Sequence, residues 1–166
     1  KEREAVLLMI NEVDTKKQDL FMKTYDVVDH NFQQIFKTLS TKGDAALTLE
    51  NKEQPLDGGL GIKVKLSGKK YMDIRSLSGG EKTMTALAFI FAVQEHEPAA
   101  FYVLDEVDAA LDKRNSDRLA RLVQQYSNRS QYVMISHNDN VIQEADNLYG
   151  VSMNNKGISK VTTVEM

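Results

Sequence analysis

With 166 residues, 42% hydrophobic content and two prolines, the chain is long enough for one domain with a core plus an appendage. Cysteine is absent, which excludes a disulfide framework and thiolate metal sites, and a net charge of -3 argues against a dedicated nucleic-acid module, which would carry a clustered basic face. The longest apolar run, Ala86 to Val93, falls far short of the roughly 20 residues that span a bilayer, and the mixed-charge start Lys1-Glu2-Arg3-Glu4 lacks the build of an export signal.

Residues 1–40 read as one helix. Val6, Val13, Leu20 and Val27 recur every seven positions and form one edge of a heptad seam, whereas the other edge, Ile10, Lys17, Thr24 and Asn31, turns polar and leaves the seam incomplete. Val28, Phe32, Ile35, Phe36 and Leu39 then make a broader apolar stripe, the pattern of a helix entering a globular body. Such a helix would extend about 60 Å, so it protrudes or breaks. With neither a Met nor a cap at its start, it reads as the cut end of something longer.

Beyond Ser40 the period becomes two. Ala45–Glu50 and Leu60–Leu66 alternate like antiparallel strands around a loop rich in Gly, Pro and Asn. Lys63, Lys65, Lys69, Lys70 and Arg75 form the best basic cluster, read as a solvated strand face. A helix over Ser78–Glu95, a strand over Ala99–Leu104, a helix over Lys113–Ser127 and a strand over Gln131–Ser136 follow, an alternation that predicts a parallel sheet. A short helix at Asp139–Ala145 leads to strands at Asn147–Met153 and Ile158–Val164, joined by the turn Asn154-Asn155-Lys156-Gly157.

Ser78-Gly79-Gly80-Glu81 satisfies the Ser-x-x-Glu capping box. Capping does not require two glycines, but close approach of a phosphate to a helix N-terminus does. The helix that follows is apolar nearly all round and is expected to be buried. Phe101-Tyr102-Val103-Leu104 reads as a buried parallel strand, and ligands of such sheets gather beyond the strands' carboxyl ends, where Asp105 and Glu106 stand. Asp105 is placed to hold Mg²⁺ and Glu106 to orient and deprotonate water. His137 follows the next strand at the same edge and could reach a terminal phosphate. Asp112 is a natural N-cap for the helix after it. His96 suits a helix C-terminus, and His30 has no chemical context. A P-loop, Gly-x-x-x-x-Gly-Lys-Ser/Thr, is missing: the nearest imitation, Ser67-Gly68-Lys69-Lys70, has Lys63 and Lys70 where Gly and Ser or Thr belong. The chain is therefore expected not to hold ATP alone.

Leu77-Ser78-Gly79-Gly80-Glu81-Lys82, Pro98-Ala99-Ala100-Phe101-Tyr102 and Asp105-Glu106-Val107-Asp108-Ala109-Ala110-Leu111-Asp112 together resemble the structural maintenance of chromosomes (SMC) family of ATP-binding-cassette-type ATPases. Transporter subunits and the zinc-hook double-strand-break repair ATPase usually carry Asp-Glu-Pro-Thr at Asp105-Glu106-Val107-Asp108 and are the alternative, beside a non-hydrolysing coil-anchored scaffold. The resemblance covers residues 28–166, and the stretch Gly150–Val161 is similar to archaeal or bacterial members. It implies an α/β fold, the C-terminal lobe of an ATPase head with a parallel-sheet core and flanking helices, over 41–166, with a coiled-coil arm or neck helix at 1–40. In that setting Ser78, Gly79, Gly80 and Glu81 are the signature motif that contacts ATP held by another head. Asp105 serves Mg²⁺, Glu106 is the base, His137 is the switch histidine, and Asp108 and Asp112 belong to the loop that meets its counterpart across the head dimer. The implied partners are the P-loop-bearing N-terminal lobe of the same protein, a second head, a kleisin subunit and, through the whole complex, DNA; no membrane is implied. The implied location is the cytoplasm, at the nucleoid, and the implied role is chromosome condensation and segregation.

Overall fold

The computed structural model describes residues 2–40, 43–66, 68 and 70–165, with the backbone alone for Glu2, Val164 and Glu165. Ser67 and Lys69, which belong to the imperfect P-loop imitation and, for Lys69, to the basic cluster, lie outside the described residues. The chain divides into two compact units, Lys1–Ala99 and Ala100–Met166.

In the first unit, helix α1 runs unbroken over Glu2–Leu39, as a segment without Gly or Pro allows. Its two halves differ. Residues 3–20 are exposed throughout, including Val6, Val13 and Leu20 of the heptad edge, while Val28, Phe32, Ile35, Phe36 and Leu39 are buried. The antiparallel sheet has the order β1 (Gly43–Leu49), β2 (Leu60–Leu66), β3 (Met72–Asp73). Gly43 opens β1 at φ 141°, where a Cβ would stand 2.3 Å from the Lys65 carbonyl oxygen, so the register demands glycine there. A single 3₁₀ turn at Ile74–Ser76 leads into α2 (Gly79–His96). That turn and β3 had no signal in the sequence pattern.

Two side chains of α1, one turn apart, hold the helix to the outer edge of β1. Asp29 Oδ1 accepts the Leu47 N–H at 2.7 Å and the Tyr25 hydroxyl donates to the Leu47 carbonyl at 2.9 Å. Both outward backbone groups of an edge residue are thereby satisfied without a further strand. Burial first, then Asp29 and Asp26, raises the Tyr25 pKa above its usual value. Further along, Phe32 meets Phe89 of α2 edge-on, ring centroids 6.1 Å apart. The stripe of α1 and the Met84, Leu87, Ala88, Phe91 and Ala92 face of α2 thus form the core of this unit. The expectation that α2 is buried all round needs correction, because Ile90 and Val93 remain exposed.

In the second unit, β4 (Phe101–Asp105) and β5 (Gln131–Ile135) pair in parallel, as the alternation predicts, with α3 (Lys113–Ser127) between them in sequence. Tyr102 and Tyr132 stack across the pair at 5.3 Å, on the face that also carries the buried Leu104. The other face corrects the reading of a buried strand: Phe101 is 61% and Val103 60% exposed, with Val133 and Ile135 beside them. A four-residue α4 (Asp139–Ile142), shorter than expected, precedes the hairpin β6 (Asn147–Met153) and β7 (Ser159–Glu165). Gly157 closes its turn at φ 76°.

Candidate functional site

The two units each present one cluster of the expected residues. In the first, Leu77 is buried and Ser78 caps α2 in an extended conformation. Glu81 closes the capping box from its side: its Oε2 accepts the Ser78 N–H at 2.9 Å and also the Ser78 hydroxyl at 2.8 Å. A Cβ added at Gly79 would meet nothing within 4 Å, so the fold of this unit gives no steric reason for a glycine there. Open space at an exposed helix N-terminus suits an incoming anion. The basic cluster is a mixed-charge surface. Arg75 donates to Asp73 through its Nε at 3.0 Å, and the Arg75 backbone N–H, followed by its side chain, holds the Asp73 carboxyl below its usual range. Lys63 is the cross-strand neighbour of Asp73, and Lys65 lies over the Tyr71 ring. This agrees with a solvated strand face.

In the second unit the chemistry gathers at the carboxyl end of the parallel pair. Asp105 is the last residue of β4 and is exposed. Glu106 follows with φ 46°, a left-handed conformation that costs a non-glycine residue about 1–2 kcal/mol. Its N–H bonds the Ile135 carbonyl at 2.9 Å and its carbonyl accepts from Ala109 N–H at 3.1 Å, which holds the turn. The Glu106 carboxylate then meets His137, Oε1 to Nε2 at 3.2 Å. A carboxylate and an imidazole from adjacent strand ends can together orient a water and handle its proton. No three His, Asp or Glu side chains form a metal cage among the described residues. Mg²⁺ commonly takes one or two carboxylates plus phosphate oxygens and water, and an exposed Asp105 at a strand end fits that pattern.

Asp112 caps α3, accepting the Asn115 N–H at 2.8 Å, as its place in the sequence suggests. Asp108 is buried, 4% exposed, and its Oδ2 accepts the Ser136 hydroxyl at 2.6 Å. Ser136, Asn138 and Ser116 join the site without having been singled out. The Ser136 Oγ accepts the Asn138 N–H at 2.9 Å and the Asn138 amide donates to Ser116 Oγ at 2.9 Å. Serine and asparagine flanking a histidine are common loop residues, so only the contacts mark them. His30 is exposed on α1, and His96 lies in the last turn of α2; neither approaches either cluster through a hydrogen bond among the described residues.

No helix among the described residues is long and apolar enough to cross a membrane. The family described as RecF/RecN/SMC N terminal domain matches residues 2–160. The chromosome partition protein Smc of Pyrococcus furiosus is 44% identical over 165 residues, covering 99% of this chain and 14% of that protein. Its counterpart in Methanococcus voltae is 44% identical over 160 residues, 96% of this chain and 13% of that protein. The chain thus spans about a seventh of the length of these relatives. The crystal structure of the Smc head domain with an extended coiled coil bound to the C-terminal domain of ScpA, from Pyrococcus furiosus, superposes with a TM-score of 0.91 at 44% identity, covering 98% of this chain and 40% of that one. A structure concerned with ATP-driven dimerization and DNA stimulated activation of SMC ATPases superposes with a TM-score of 0.80 at 44% identity, covering 89% of each chain. With the family match extending across both compact units, the chain belongs to the RecF/RecN/SMC family.

Proposed function

We propose that this chain is the C-terminal lobe of an SMC ATPase head, with residues 1–40 as the stump of its coiled-coil arm and 41–166 as the lobe. The family description speaks of an N-terminal domain; the C-terminal placement rests on motif content, namely a signature sequence and a strand ending in two acids without a P-loop. An unpartnered sheet face supports it further, since parallel sheets are ordinarily covered on both faces and here Phe101, Val103, Val133 and Ile135 are left exposed. An N-terminal lobe of the same protein is the layer that would cover them.

Each cluster then serves a different nucleotide. Ser78, Gly79, Gly80 and Glu81 offer helix N–H groups and a hydroxyl to the terminal phosphate of ATP held by a second head, so the nucleotide joins the heads. Within its own head, Asp105 would hold Mg²⁺, which neutralises phosphate charge when bound. Glu106 orients and deprotonates the attacking water, and His137 keeps the Glu106 carboxylate in place and reaches the terminal phosphate. The Val107–Asp112 loop, led by the exposed Asp112, faces the partner head. The 3.2 Å meeting of Glu106 with His137 at the carboxyl end of a parallel pair carries this reading. ATP-driven dimerisation and a ScpA-bound head among the structural neighbours support a cycle in which head engagement, a kleisin on the head and DNA held by the full complex serve chromosome partition, in the cytoplasm at the nucleoid. The Smc relatives favour this role over the zinc-hook repair ATPase.

The test is co-expression with a P-loop-bearing N-terminal lobe, followed by an ATPase assay and sizing with and without nucleotide. Glu106→Gln is expected to preserve ATP-dependent dimerisation while turnover falls about 10²- to 10⁴-fold. Unchanged turnover would remove Glu106 as the base, and a wild-type assembly indifferent to ATP would leave the scaffold reading in its place.

A further inference from the structure

His137 is an exposed ring whose one hydrogen-bond partner among those described is Glu106. An exposed side chain on a strand-to-loop exit has little packing to fix its rotamer. The residues on either side of it are fixed instead. Ser136 donates its hydroxyl proton to Asp108 Oδ2 at 2.6 Å and accepts the Asn138 N–H at 2.9 Å, while Asn138 reaches Ser116 on α3, a residue with 0% exposure. Asn140 extends the tie to the Lys113 carbonyl at 3.0 Å.

Asp108 works on the other partner. It sits two residues after Glu106 in a turn held by Ala109 N–H on the Glu106 carbonyl and Leu111 N–H on the Asp108 carbonyl. A carboxylate with 4% exposure requires a strong donor, and Ser136 supplies one. This part-buried bond joins the loop bearing Glu106 to the loop bearing His137, whose own side chains meet at 3.2 Å.

We infer that Asp108 and Ser136 are a pair of positioning residues that lock the two strand-end loops together and so set the Glu106 to His137 geometry, with Asn138 and Ser116 anchoring the lock to α3. This rests on the reading of Glu106 and His137 as the groups that act on the attacking water and the phosphate. Neither Asp108 nor Ser136 need touch nucleotide. Their effect passes through placement, and misplacement of a reacting group by about 1 Å can cost on the order of 10²-fold in rate.

The test compares Asp108→Ala, Asp108→Asn, Ser136→Ala and Ser136→Thr in the two-lobe head, with MgATP as substrate, and measures backbone amide exchange at His137 and Asn138 in the same proteins. The alanine variants are expected to lower kcat by about 10²-fold with little change in KM, to keep ATP-dependent dimerisation, and to exchange faster at those two amides. Asp108→Asn and Ser136→Thr, which keep an acceptor and a hydroxyl, are expected to recover turnover. Unchanged kcat with unchanged exchange overturns the inference, as does loss of activity in step with loss of the folded state for both alanine variants. Should the wild-type head prove inactive, the ATPase reading falls, and faster or unaltered amide exchange in Asp108→Ala still decides whether the pair locks the two loops.

Discussion

The antiparallel sheet of the first unit and the parallel pair of the second treat their exposed groups in opposite ways. β1 is an edge strand, yet its outward Leu47 N–H and carbonyl are taken up by Asp29 and Tyr25 of α1, and its inward Ala45 and Leu47 are buried. The β4–β5 pair has α3 and one stacked tyrosine face, and then stops, with Phe101, Val103, Val133 and Ile135 open to solvent. The first unit packs a core between its own helices from Val28 onward, with Ile90 and Val93 left exposed on α2, whereas the second leaves a whole sheet face with the composition of a core uncovered. Self-sufficiency and incompleteness thus sit in one chain, and the acids and His137 belong to the incomplete part.

Phe32→Ala would break the self-sufficient side most severely. Its ring is 0% exposed between Phe36 and Phe89, and truncation is expected to cost about 3–5 kcal/mol, read from a urea titration of the chain. A loss under 1 kcal/mol would mean that the α1–α2 packing is not the core of this unit.

Tyr25→Phe probes the edge closure more gently, with an expected loss of about 0.5–1.5 kcal/mol near neutral pH for one hydrogen bond. The Tyr25 pKa is raised, so the folded state prefers the protonated phenol. Its contribution is therefore complete below the ordinary tyrosine value of 10.0 and declines as pH rises from there through the folded-state value. The gap between wild type and Tyr25→Phe should close in alkaline urea titrations. A gap that widens would contradict the assigned donor role.

Val133→Lys sharpens the other side and should have the smallest effect on the isolated chain, within about 0.5 kcal/mol as for an exposed position. Placed in the two-lobe head, the same change should prevent association, because a buried unpaired ammonium is heavily disfavoured. Normal co-purification of the lobes would show that this face is not where the second lobe docks.

Much of this was legible along the chain. The heptad edge and the later apolar stripe separate the exposed half of α1 from its packed half, because helix periodicity maps directly onto one face. Asp112 as a cap, Gly157 in the hairpin turn and the succession of strands other than β3 follow from local chemistry. Strand Phe101–Leu104 reads as buried yet has one exposed face for a definite reason: its composition suits a two-sided core, and sequence does not encode whether the second covering layer lies in the same stretch of chain.

What the sequence by itself determined is the set of chemical groups and their order: a glycine-rich helix start, two acids at a strand end, a histidine one strand later, and no phosphate-cradling loop. Those are properties of neighbouring residues, set by local backbone preference and side-chain type. Only the tertiary structure decided that Glu106 takes a left-handed turn toward His137 and that Asp108 points inward to Ser136. Glu106 and His137 follow the ends of two strands whose parallel pairing, through an intervening helix, converts separation in sequence into a 3.2 Å contact. No local pattern encodes that distance, because it depends on register and on which buried carboxylate finds a donor.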